Sequence, residues 1–209
     1  MLVVDEKTVR ILEAIMSYES IDSFDLEEKC GIKRVILRRR VNELIKYNLI
    51  AKKRGSLDYV IKDIEKCIWQ TYIARNPSEF IFRSYSSSVS FLKIIETLSK
   101  NEIISGPYAL ECVMKNISSD QIYIYSKSIE LTIEKLNLLN AVEELEKEQG
   151  NIKLFEYKPY MNVGVSIDFL ATKKENRPHL AHTSHIILDN LHIKGRHSEI
   201  ARELLNRLI

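Results

Sequence analysis

Cysteine is scarce in this chain: Cys30, Cys67 and Cys112 are its only three, far apart and forming no C-x-x-C pair. That pattern argues against a disulfide scaffold or a cysteine-built zinc site, and small half-buried side chains in a reducing compartment are expected instead. Six Gly and four Pro exclude a collagen-like or low-complexity chain. No apolar run approaches the roughly 20 residues needed to cross a bilayer, so no membrane partner is expected. No basic segment followed by an apolar stretch opens the chain as in a signal peptide, and the expected location is cytoplasmic. The motifs G-x-x-x-x-G-K-[ST], G-x-G-x-x-G and G-x-S-x-G are all absent, so no phosphate cradle, dinucleotide fingerprint or nucleophile elbow is expected, and no cofactor.

What is present is enough apolar sequence, 45% of 209 residues, to bury a core in one domain or two small ones. The net charge of +2 conceals a sharp asymmetry. Residues 1–30 carry three bases against eight acids, a net of −5. Residues 31–54 carry nine bases against one acid, Glu43, a net of +8. A swing of that size inside one small unit points to a polyanionic partner.

The local pattern around the basic stretch predicts its shape. Val9, Leu12 and Met16 recur at helical spacing behind Asp5 and Glu6, predicting a helix over about 5–18. Ser23 reads as the N-cap of a short helix over about 24–30 that stops at Gly31. A third helix follows over about 33–48, with Leu37, Val41, Leu44 and Ile45 facing inward. The segments on either side of Gly55 then read as a two-stranded hairpin whose tip carries Lys52, Lys53 and Arg54. Helix-turn-helix plus hairpin is a winged helix, expected over 1–61. Lys33, Arg34, Arg38 and Arg39, near the start of the third helix, are placed to enter a major groove, and Lys52, Lys53 and Arg54 to grip the neighbouring backbone or minor groove. Double-stranded DNA is therefore the expected partner. Arg40 is open to either surface or to a pair with the acidic first helix. Val35 and Ile36 are open to a thymine methyl, the second helix, or packing. The alternative for this unit is a protein-docking module with a solvated basic helix.

Residues 62–100 read as connecting helices and a loop. A helix over 63–76 carries Ile64, Ile68 and Trp69 on one face and ends before Pro77. Phe80–Phe82 reads as a short strand or an anchor, Ser84–Ser88 as a loop. A capped helix over about 89–99 buries Phe91, Leu92, Ile95 and Leu98.

Residues 101–209 alternate strands with helices, so a C-terminal α/β domain is expected and the fold class overall is α+β. Ile103–Leu110 reads as a strand end, a tight Gly turn and a helix with Pro in its first turn. Gln121–Tyr125 is a strand, and a helix starts near Ser128. Residues 138–142 are open to either helix or strand. Strands are expected near 152–157 and 163–170, and two closing helices over 183–191 and 198–208. The layout resembles a nucleotidyltransferase core, whose chemistry needs two carboxylates at i and i+2 on one strand to share Mg²⁺. Here Asp120 is followed at i+2 by Ile122. Asp168 offers a further carboxylate, but the pair is broken, so no catalysis is expected. A divergent metal-dependent nucleotidyltransferase is the alternative. All five His lie after residue 178. His182 and His185 would share a helix face as a metal pair, but surface or phosphate-contacting roles are preferred, and no metal is expected.

Ile104-Ser105-Gly106-Pro107-Tyr108-Ala109-Leu110 resembles the "TGxxA" turn-helix of AbiEi-type antitoxins from type IV toxin–antitoxin (abortive infection) systems. Tyr123-Ile124-Tyr125 looks like the strand that follows it there. Thr183–Leu191 and Lys194–Ala201 are similar to that family's closing "SPxQxYLDL…GRGxEAA" pattern, with His185, Asn190 and His197 departing from it. The resemblance implies a regulator that binds its own promoter through an N-terminal winged helix, and an antitoxin-like domain over 101–209 that counteracts a nucleotidyltransferase-like toxin. It is compatible with a monomer or a homodimer.

Overall fold

The computed structural model describes residues 4–18, 20–75, 80–115, 117–143, 146, 149–161, 163–166 and 178–209. Within them the chain is mixed α and β. It begins with helix α1 (Glu6–Tyr18), strand β1 (Ser20–Ile21) and helices α2 (Ser23–Cys30) and α3 (Arg34–Lys46). Strands β2 (Ile50–Lys52) and β3 (Tyr59–Ile61) and helix α4 (Ile64–Ala74) follow. Asp5 caps α1, its Oδ1 accepting from the Thr8 amide at 2.9 Å. The cap of α2 is Asp22 and not the expected Ser23: the Asp22 carboxylate accepts from the Phe24 and Asp25 amides at 2.7 and 2.9 Å. A carboxylate satisfies two orphan amides at once, and its charge suits the helix start. Gly31 ends α2 at φ +63°, the left-handed turn the sequence predicts. β1, β3 and β2 form a three-stranded antiparallel sheet in that order.

Helix α1 is the hub of the molecule. Val9, Leu12 and Met16 are buried as expected, but so are Ile11, Ala14, Ile15, Glu13 and Ser17. It packs against α2 and β3 on one side and against α4 and α8 on the other.

The remaining chain builds a seven-stranded mixed sheet of order β7-β4-β8-β6-β5-β10-β9. Its strands are β4 (Ile81–Ser86), β5 (Glu102–Ser105), β6 (Ile122–Ser126), β7 (Val142–Glu143), β8 (Ile152–Glu156), β9 (Val163–Ser166) and β10 (His179–Ala181). Interspersed are α5 (Phe91–Thr97), α6 (Gly106–Met114), α7 (Ile129–Leu138), α8 (Thr183–Leu191) and α9 (Arg196–Asn206). Among the described residues, only the β6–β8 and β5–β10 pairs are parallel. The α7 crossover joins the first of these, whereas β5 and β6 run antiparallel although α6 lies between them. Helices α6, α8 and α9 pack together over the β5–β6 region. Among the described residues no helix is long and apolar enough to cross a membrane.

Several expectations are corrected here. Ser84–Ser86 is not loop but the second half of β4, with Ser84 and Tyr85 buried, so the sheet recruits a strand from the stretch read as connector. Leu92 is 45% exposed, and Ile94 takes the buried place beside Ile95. Leu138 ends α7 and Val142 starts β7, dividing the ambiguous segment between helix and strand. β10 lies where the sequence reading placed no strand.

Gly106 shows why glycine stands at the β5–α6 turn. Its φ is +66°, and a Cβ there would lie 2.6 Å from Cδ2 of Tyr123 on the neighbouring strand. Neither the left-handed backbone nor the close approach tolerates a side chain.

Candidate nucleic-acid interface

Helix α3 buries Leu37, Val41 and Leu44 and is held at its start by Glu27 of α2, which accepts from the Arg34 amide at 3.0 Å. At about 100° per residue, the positions opposite that buried stripe are 35, 38, 39, 42 and 46, all within an arc of about 100°. Val35, Arg38, Arg39, Asn42 and Lys46 are all exposed, Val35 at 82%. Among the described residues, the seven-stranded half does not cover this face. Ile36 is half-buried and packs on the core.

The predicted cations divide into two groups. Lys33 is exposed and lies immediately before the first turn of α3. Arg38 and Arg39 are exposed and have no ion-pair partner among the described residues. Lys52 ends β2, and Lys53 and Arg54 occupy the exposed turn behind it. Gly55 closes that turn at φ +77°. Arg34 is only partly available: its Nε lies 3.2 Å from Glu27 Oε2. Arg40 is withdrawn from the surface. Its guanidinium pairs with Asp5 at the head of α1 and, at 3.0 Å, with Glu43, resolving its alternatives toward the acidic first helix.

The hairpin is anchored. Asp58 accepts a 2.7 Å bond from the Ser20 hydroxyl, and Lys53 N–H donates to Asp58 O at 2.8 Å. The Ser20 and Ser56 hydroxyls hold the Asp58 carboxyl below its ordinary range. Since α3 packs against β2, both basic sets lie on adjoining elements. Counting charge misses Asn42, which is neutral. Its signal is spacing, since it falls three and four residues after Arg39 and Arg38 on the exposed arc.

Among the described residues, the carboxylates and histidines of the other half do not converge. Asp120 is exposed in a bend before β6, and Ile122, two residues on, is fully buried. Asp168 lies outside the described residues. His182 caps α8, its Nδ1 2.9 Å from the Ser184 hydroxyl. His185 is not at the surface as preferred: α8 is buried from Ser184 to Leu191, and burial, with Arg75 and His182 adding, holds the His185 imidazole well below its usual pKa. Among the described residues no three His, Cys, Asp or Glu side chains are grouped to hold a metal.

The most concentrated buried charge among the described residues carries no local sequence signal. Arg75, just past α4, meets Asp189 of α8 at 2.8 Å and Glu13 of α1 at 3.3 Å. Asp189 also accepts from Ser105 at 2.6 Å and Tyr125 at 3.1 Å. Burial opposes the Arg75 charge, but Asp189 and Glu13 outweigh it and its pKa is raised. Burial pushes the Glu13 carboxyl up, Arg75 offsetting part of the shift.

No family model, curated protein or solved structure matches this chain.

Proposed function

We propose that this protein is a non-enzymatic, duplex-DNA-binding regulator whose first sixty-one residues act as a winged helix. The observation that carries the reading is the outward arc of α3, where Arg38, Arg39, Asn42 and Lys46 stand exposed beside the basic β2–β3 turn. The element order α1–β1–α2–α3–β2–β3 supports it. In this reading α3 enters the major groove. Arg38 and Arg39 fork onto guanine or neutralise phosphate, Asn42 offers the paired donor and acceptor that suit adenine, and Val35 meets a thymine methyl. Lys33, Lys52, Lys53 and Arg54 hold the flanking backbone. By its resemblance to AbiEi-type antitoxins, the protein would repress its own operon and its C-terminal half would restrain a nucleotidyltransferase-like toxin. That role rests on the resemblance alone.

Fluorescence anisotropy on a labelled duplex across a salt series tests the proposal. Neutralising about four to six phosphates gives a slope of log affinity against log salt of roughly −4 to −5. Arg38→Ala with Arg39→Ala weakens binding by about tenfold or more and flattens that slope by about 1 to 2. Affinity unchanged in the double variant, or absent at low salt in the parent, defeats the reading.

A further inference from the structure

The turn between β2 and β3 reads Lys52-Lys53-Arg54-Gly55-Ser56-Leu57-Asp58. Its one large apolar side chain, Leu57, is 72% exposed. A single exposed leucine is common on protein surfaces, so exposure alone decides nothing. The setting of this one does. Lys52, Lys53 and Arg54, just before it, are all exposed, and they follow directly from the helix whose outer arc carries Arg38 and Arg39.

The turn is braced from within and from below. Lys53 N–H donates to Asp58 O at 2.8 Å, Ser56 N–H to Lys53 O at 3.2 Å, and Asp58 N–H to Ser56 Oγ at 3.1 Å. The Ser20 hydroxyl of β1 donates to the Asp58 carboxylate at 2.7 Å, which draws the only acid of the turn back to its base. Beside Gly55 the space is open. Leu57 therefore stands on a closed set of hydrogen bonds with cations ahead of it. A surface that receives one leucine set among three cations must be anionic at its rim and apolar at its floor. One side chain is too small an apolar patch to dock a protein. The minor groove of duplex DNA meets both conditions, with phosphates along each wall and stacked base pairs beneath.

We infer that Leu57 is a wedge that enters a minor groove and partly unstacks one base step. Lys52, Lys53 and Arg54 neutralise phosphates of the groove walls, and the isobutyl group inserts between neighbouring base pairs. The preferred step is pyrimidine–purine, TA or CA/TG, because such steps open at the least cost. Specificity at that step then comes from how readily the DNA deforms and not from a hydrogen bond to a base edge. The inference rests on the DNA-binding reading and adds to it a contact that carries no charge.

The test uses the full chain and two A·T duplexes of about 20 base pairs, each with 2-aminopurine in place of several adenines. One alternates T and A, so that every second step is TA. The other carries all its adenines on one strand and has no pyrimidine–purine step. At saturation the parent raises the fluorescence of the alternating duplex at least about twofold and leaves that of the other unchanged. Leu57→Ser abolishes the rise and weakens binding to the alternating duplex about fivefold or more, with less than about a twofold change on the other. The melting temperature stays the same because Leu57 is exposed, and the salt slope stays the same because no charge is removed. Leu57→Met keeps the rise. Binding by the parent without a rise, a rise that survives Leu57→Ser, or equal losses on both duplexes overturns the wedge and leaves the DNA-binding reading standing. Binding to neither duplex at low salt overturns both.

Discussion

Arg75 Nη2 lies 2.8 Å from Asp189 Oδ1, tying the end of α4 to the middle of α8 where neither side chain meets solvent. Glu13 brings α1 into the same knot, and Ser105 and Tyr125 fasten it to β5 and β6. Removing one partner of a buried ion pair strands the others without compensation. Arg75→Ala is expected to cost about 3–5 kcal/mol of folding stability. Urea unfolding followed by circular dichroism measures it, and a loss under about 1 kcal/mol means the knot contributes little.

The two basic groups of α3 separate by role. Arg38→Ala with Arg39→Ala, on the exposed arc, leaves stability within about 0.5 kcal/mol while weakening duplex binding. Arg40→Ala does the opposite, because its guanidinium is engaged with Asp5 and Glu43 and its side chain is only 11% exposed. It costs about 1–3 kcal/mol of stability and leaves the salt slope of DNA binding where it was. Thermal unfolding and anisotropy on the same three proteins decide the matter. Equal effects of the two substitutions on binding contradict the assignment.

Two glycines with similar backbone angles should respond differently to alanine. Gly55→Ala, at φ +77° with nothing within 4 Å, meets only the left-handed penalty of about 1–2 kcal/mol. Gly106→Ala meets that penalty and a clash with the Tyr123 ring, for a total of about 3–5 kcal/mol. Chemical denaturation of both variants reads the difference directly, and equal losses would mean that Tyr123 moves aside freely.

Acid should loosen the fold through His185. Burial, with Arg75 and His182 adding, lowers its pKa well below 6.5, so the folded protein keeps the ring neutral while the unfolded chain takes a proton as pH falls below 6.5. The contribution is complete above pH 6.5 and is lost progressively below it, by at most about 1.4 kcal/mol per pH unit. His192, lowered to about 4 mainly by burial, acts in the same direction. Glu13, with its pKa raised by burial, acts in the opposite one, gaining stability as pH falls. Comparing the parent with His185→Leu between pH 6.5 and 4.5 isolates the histidine. The parent's stability should fall more steeply, and parallel curves would exclude His185 as the cause.

The order of helices α1 to α3 and the hairpin could be read in the sequence because each boundary has a local cause: Asp5 at a helix start, Gly31 in the left-handed turn, Gly55 between two short strands. Ser84–Ser86 could not. Serine clusters usually mark loops, and it is the long-range pairing of Ser84 and Tyr85 with Lys153 and Ile152 of β8, and of Ser86 with Val142 of β7, that gives this one a place in a strand. The basic surface was legible as charge, but its division was not. Whether Arg34, Arg38 or Arg40 faces outward depends on where Glu27, Asp5 and Glu43 fall in space. Arg75 followed by Asn76 and Pro77 looks like an ordinary basic helix end. Its partners lie 62 residues before it and 114 after it, beyond the reach of any local pattern.

From Ile11 to Ser17, helix α1 has no side to spare for water. A protein engineer who cut the chain behind the β2–β3 turn would leave the surface that meets α4 and α8 bare and greasy, with the Glu13 carboxylate stripped of Arg75. The first sixty-one residues therefore cannot be transplanted as a detachable cassette. That segment travels with the sheet or clumps without it.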